Sequence, residues 1–217
     1  MRLLASATAA LALIGSPLVT HALGVTDAQG DFLATFAGSH ASTDLDVVSA
    51  NVFYNAGTDA FTLTATMDGN VGSTATGVYV WGVNRGGGTA TFGASLGLDK
   101  VLFDRVILVR ADGTGNVGNT LLPTGAVTVS GKTITAVVSA GLLPGNGFAN
   151  KLDYGWNLWP RDLAFAASGV GAISDFAPNN ATFTATAVPE PATAMLSMLG
   201  IAGLLAWRRV SRTREVA

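Results

Sequence analysis

The stretch "AFTLTATM", Ala60–Met67, alternates apolar and hydroxyl side chains without a break. In an extended chain Phe61, Leu63, Ala65 and Met67 point one way and Thr62, Thr64 and Thr66 the other, which is the pattern of a half-buried strand. Just upstream, "DVVSANVFY" (46–54) is rich in β-branched and aromatic residues, and "NAGTD" (55–59) between the two runs supplies turn chemistry, so the pair is predicted to be a hairpin. Working outward, the same criteria predict strands at 31–36, 77–83, 89–92, 101–110, 126–129, 132–139, 154–158 and 182–187. Ser130-Gly131 suits a two-residue hairpin turn, Gly131 accepting the positive φ. Glycine and Asn/Asp clusters punctuate the rest, and no amphipathic helix of three turns is visible in the body. The expected fold is all-β: a single antiparallel β-sandwich, jelly-roll-like.

Both ends depart from this pattern. Met1-Arg2, an apolar run over 3–14, Pro17, and small residues at Thr20 and Ala22 have the layout of a secretory signal peptide, residues 1–22, cut by signal peptidase after Ala22. The body, 23–187, is long enough for one domain with its own core. The only two glutamates, Glu190 and Glu215, lie beyond it, so every body carboxylate is an aspartate. Opposite them stand Lys100, Lys132, Lys151, Arg85, Arg105, Arg110 and Arg161, which leaves the body mildly acidic and argues against nucleic acid as a partner, since that needs a basic face. There is no cysteine. Disulfides are excluded, and the fold must be held by burial and sheet hydrogen bonds.

Several short matches to catalytic motifs lack their context. "GASLG" (93–97) fits the G-x-S-x-G nucleophile elbow, but no histidine follows Ser95, and His40 is the one imidazole left after signal cleavage. "GTGNVG" (113–118) fits a dinucleotide fingerprint, yet Pro123 and Gly125 follow where a helix is needed, so a glycine-rich β-turn is expected. "LPTG" (122–125) lacks one residue of a sortase signal. With no Cys–His, Ser-His-Asp or zinc constellation available, the body is expected to be no enzyme and to need no cofactor. Calcium takes oxygen ligands, and the loops "DGTGN" (112–116) and "DFAPNN" (175–180) offer weak structural-calcium candidates in Asp112, Asn116 and Asp175.

The aromatic strands are the most suggestive part of the body. "YVWGVNRGGG" puts Tyr79 and Trp81 on one face and Val78 and Val80 on the other, and "DYGWNLWPRD" puts Tyr154 and Trp156 together with Trp159 of opposite parity. If one face is exposed, these rings could stack sugars with Asn84, Arg85, Asn157 and Arg161 as hydroxyl partners. If both faces are covered, the rings are core, and Arg85 and Arg161 pair with Asp99, Asp104 or Asp162 at the rim.

The chain closes with "VPEPATAMLSMLGIAGLLAWRRVSRTREVA" (188–217). The run 192–207 carries no charge and is expected to be a membrane helix, although at about 1.5 Å per residue it falls short of the roughly 30 Å hydrocarbon core. Trp207 with Arg208 and Arg209 would bridge the interface, and these arginines with Arg212 and Arg214 orient the basic end, 208–217, to the cytoplasm by the positive-inside rule. Proline on both sides of Glu190 disfavours helix there and keeps the carboxylate extended at the membrane surface.

This tripartite tail of Pro189-Glu190-Pro191, apolar helix and arginine cluster closely resembles the PEP-CTERM sorting signal of Gram-negative bacteria. The resemblance covers about the last thirty residues. It implies that Pro189, Glu190 and Pro191 are read by an exosortase-type enzyme, that the inner membrane is a transient anchor, that the mature form lies in the cell envelope, cell surface or extracellular matrix, and that exopolysaccharide production accompanies it. The body also looks like a recurring ectodomain of that class, carrying "VLFDRV", "WNLWPR" and "ISDFAP". Two readings of the body follow: a non-enzymatic surface or matrix component, and a carbohydrate-binding module built on the tryptophan strands.

Overall fold

A computed structural model describes residues 24–93, 96–188 and 199–203. Twelve strands are present among them: β1 (Val25–Thr26), β2 (Val47–Asn55), β3 (Ala60–Met67), β4 (Gly77–Asn84), β5 (Arg105–Arg110), β6 (Gly115–Val117), β7 (Thr120–Leu121), β8 (Val127–Ser130), β9 (Thr133–Ser139), β10 (Gly155–Asp162), β11 (Phe183–Thr184) and β12 (Thr186–Ala187). They form two sheets. The first runs β1-β2-β3-β9-β8, with β12 also on β2, and the second runs β11-β10-β4-β5-β6-β7. Every pairing is antiparallel except β12 on β2.

The alternation of β3 is realised residue by residue: Phe61, Leu63, Ala65 and Met67 are buried and the threonines between them are half-buried. β3 lies between β2 and β9, so both its backbone edges are satisfied, and on its outer face Thr64 and Thr135 oppose each other with their hydroxyls 3.4 Å apart. On the inner face Phe61 meets Trp156 edge-on at 5.0 Å and Tyr154 at 5.9 Å. Both partners stand on or beside β10 of the other sheet, so the two sheets face each other across one apolar core. Each fully buried large side chain there contributes roughly 1.5–3 kcal/mol.

The second sheet is buried on both faces. β4 is buried at every position from Val78 to Val83. Its outer side chains, Val78 and Val80, join Trp159, Leu98, Val101, Ile173 and Phe176 in a second cluster, with Phe92 and Phe103 packed against it. The covering residues come from the connections around residues 85–104 and 163–177. Gly82 is what lets this cover close. A methyl group there would lie 2.3 Å from the Trp159 ring, so the indole occupies the space a side chain would take.

Five strand expectations are corrected. Segment 31–36 is not a strand, because its backbone bonds go elsewhere: Phe36 N–H to the Leu33 carbonyl in a local turn, Leu33 N–H to Ser174. Segment 89–92 reduces to the single bridge Thr89–Phe103. Of 101–110 only Arg105–Arg110 is strand. The strand expected at 154–158 instead runs from Gly155 to Asp162, because β4 pairs with it along its whole length. The run 182–187 is divided between the sheets, Phe183–Thr184 pairing with β10 and Thr186–Ala187 with β2. The β8–β9 hairpin turn is also one residue later than expected: Ser130 pairs with Thr133, so the loop residues are Gly131 and Lys132, with Gly131 at φ +57°. "GTGNVG" is β-turn and strand, as its context required, with Gly115–Val117 forming β6.

Residues 199–203 include a helical turn, and no helix among the described residues is long and apolar enough to cross a membrane. The signal-peptide expectation, nearly all of the 192–207 span, and Pro189, Glu190, Pro191, Trp207, Arg208, Arg209, Arg212 and Arg214 lie outside the described residues, as does Ser95.

Candidate functional site

The structure answers the question left by the aromatic strands. Tyr79, Trp81, Tyr154 and Trp156 are in the inter-sheet core and Trp159 is in the outer cluster, each at most 3% exposed. Sugar stacking needs an open ring face, and these five rings have none. Of the two readings of these strands the core one holds, because the second sheet is covered on the side that an isolated sheet would leave open. The polar groups beside them are engaged too. Asn84 accepts from the Gly86 and Gly88 amides, and Asn157 donates to the Pro178 and Ala181 carbonyls at 2.7 and 2.8 Å. Arg85 is buried and pairs with Asp104 at 2.8 Å while donating to the Pro144 carbonyl. Burial alone would raise the Asp104 pKa. Bonds from Arg85, Asn146 and the Gly87 amide outweigh that and hold the carboxyl below its usual range. Arg161, by contrast, reaches only the Gly169 carbonyl among the described residues, at 3.3 Å.

Of the sequence-predicted calcium ligands, Asp112 is a turn former and Asn116 a residue of strand β6. Asp112 accepts from both the amide and the hydroxyl of Thr114, and Asn116 accepts from Arg110 of β5 and donates to the Gly118 carbonyl in the β6–β7 turn. Asp175 is different: it is fully buried, and one carboxylate oxygen each from Asp31, Asp46 and Asp175 lie within 4.8 Å of one another. Asp46 stands at the start of β2, where its Oδ2 accepts from the Gly30 amide at 2.7 Å. Asp175 accepts from the amides of Val47 at 2.9 Å and Phe176 at 2.6 Å. Burial pushes the Asp175 carboxyl up to about 8. Burial, reinforced by Asp31, brings neighbouring Asp27 to about 6, and burial raises Asp46 as well. Sequence reasoning assigned Asp31 and Asp46 to strands and did not single out Asp27. No local spacing relates them to residue 175, so the group is visible only after folding.

The third feature is the exit of the chain. β12 lies parallel to β2, Thr186 opposite Phe53 and Ala187 opposite Tyr54. The Val188 amide then donates to the Tyr54 carbonyl at 2.9 Å. Beside this exit the Tyr54 hydroxyl donates to Asp59 at 2.7 Å, and the Lys151 ammonium pairs with the same carboxylate and sits 5.6 Å over the Tyr54 ring. The body thus remains bonded into a sheet up to the residue before Pro189.

A β-rich body whose last strand leads directly into a C-terminal signal defines an exported, C-terminally sorted protein. The signal is the PEP-CTERM protein-sorting motif, whose family model matches residues 187–210. That span contains Pro189, Glu190 and Pro191, the apolar run, and Trp207 to Arg209. No curated protein matches the chain.

Proposed function

We propose that this protein is exported through an N-terminal signal peptide, is held for a time in the inner membrane by residues 192–207 with its basic end in the cytoplasm, and is then processed by an exosortase-type enzyme at Pro189-Glu190-Pro191. Its body, on this reading, is a non-enzymatic β-sandwich of the cell envelope or extracellular matrix, associated with exopolysaccharide. The observation that carries the proposal is the sorting motif at residues 187–210, beginning where β12 ends. The tail is short and uncharged through its middle, so it suits a temporary anchor better than a permanent one. The body supports the structural role through its double-sided burial: its largest aromatic side chains build the core, and its rim arginine is committed to an ion pair.

The deciding experiment is fractionation of the native host with mass spectrometry of the surface-released protein. The proposal expects that form to end near residues 189–191. Peptides spanning 192–208 in the released fraction would show the tail to be an anchor only.

A further inference from the structure

We propose that Asp31, Asp46 and Asp175, with Asp27 at their edge, form a calcium site that ties the N-terminal segment of the body to the chain that follows β10. Two oxygens on one calcium are separated by at most about 4.8 Å, twice a Ca–O length of roughly 2.4 Å, and the three carboxylate oxygens meet that limit.

Asp46 is 0% exposed; its Oδ2 is taken by the Gly30 amide, and its Oδ1 is buried with no hydrogen-bond partner. Asp27 Oδ2 and Asp31 Oδ1 are buried and unpartnered in the same way. An anionic oxygen removed from water without a donor is strongly unfavourable, so such a group either takes up a proton or meets a positive charge. Among the described residues no lysine or arginine comes within ion-pair distance of any of the four aspartates. A divalent cation supplies what the side chains lack.

The donor chemistry selects the ion. The set is all oxygen, and the chain has no cysteine, so zinc and copper are disfavoured. Magnesium keeps several waters in a strict octahedron, whereas calcium accepts several carboxylates in irregular geometry. The donors are also held in place before any ion arrives: Asp175 by the Val47 and Phe176 amides, Asp46 by Gly30, and Asp31 by the Asn179 side chain at 3.2 Å. The Leu33 amide bonds the Ser174 carbonyl at 2.8 Å and the Ser174 hydroxyl bonds the Leu45 carbonyl at 2.6 Å, so the same three chain segments already meet here. The site rests on this geometry, whatever the final destination of the protein.

The test uses the full chain in detergent micelles, stripped with EDTA, then titrated with calcium chloride in a calorimeter and melted in parallel. One-site binding is expected, with the melting temperature rising roughly 5–10 °C at calcium a hundredfold above Kd. Asp31→Asn and Asp27→Asn relieve repulsion, so each should melt at or above the metal-free wild type yet lose most of the calcium shift. Asp112→Asn, in the surface turn, should keep it. Absence of heat and of any shift up to about 10 mM calcium, tenfold above the range of weak extracellular sites, overturns the proposal. So does a shift that magnesium chloride or sodium chloride matches at equal ionic strength, or full retention of the shift by both Asp31→Asn and Asp27→Asn.

Discussion

The Val188 amide donates to the Tyr54 carbonyl at 2.9 Å, which fastens the residue before the sorting motif to the long second strand of the first sheet. Strand β1 covers Ser49 and Ala50 of β2, and β12 covers Phe53 and Tyr54, on the side opposite β3. Both ends of the body therefore close the same edge. Val188→Pro removes the donor. It should destabilise the body by about 0.5–1.5 kcal/mol, read by urea denaturation of the full chain in detergent.

Glu190→Ala should leave the melting temperature unchanged, because the twelve strands of the body all precede it. In the native host the same change should trap an uncut precursor in the inner membrane, visible as a larger band on an immunoblot of membrane fractions. Normal release of the variant would remove Glu190 from the recognition residues.

Trp156→Ala should act on stability. Its indole is fully buried against Phe61, so truncation leaves a cavity worth about 3–5 kcal/mol. Trp81→Ala should behave alike. Denaturation curves followed by far-UV circular dichroism check this. A variant that stays as stable as the wild type while losing polysaccharide binding in a pull-down would restore the sugar-binding reading.

Arg85 and Asp104 form a buried pair, their side chains 9% and 8% exposed. Arg85→Ala leaves the carboxylate buried without its cation and should cost about 3 kcal/mol. The pH dependence follows from the direction of the shift. Asp104 titrates lower in the folded chain than the roughly 3.9 of an unfolded aspartate, so its contribution is full above about pH 4 and is lost as pH falls through the folded value. Asp104→Asn should flatten the acid limb of the stability curve below about pH 4, measured by thermal melts across pH.

Local sequence determined a definite part of this protein. The alternation of Ala60–Met67 requires only that one face be buried, and the β2–β3 hairpin requires only a turn between neighbours, so both are legible without the rest of the chain. The sorting motif is likewise contiguous and carries its chemistry in its own residues. Folding decided everything that depends on what lies across a gap in the chain. Val78 and Val80 alternate with Tyr79 and Trp81 as they would in a half-exposed sheet. They are buried because Leu98, Val101, Ile173 and Phe176, from two distant connections, pack over them. The run 182–187 satisfies strand chemistry throughout, yet the positions of β10 and β2 divide it between two sheets. Asp31, Asp46 and Asp175 meet because β2 begins beside the chain that returns after β10. A period of two records a residue's own neighbours along the strand. The second face, the shared edge and the convergence of charges are set by long-range contacts, and those exist only in the folded chain.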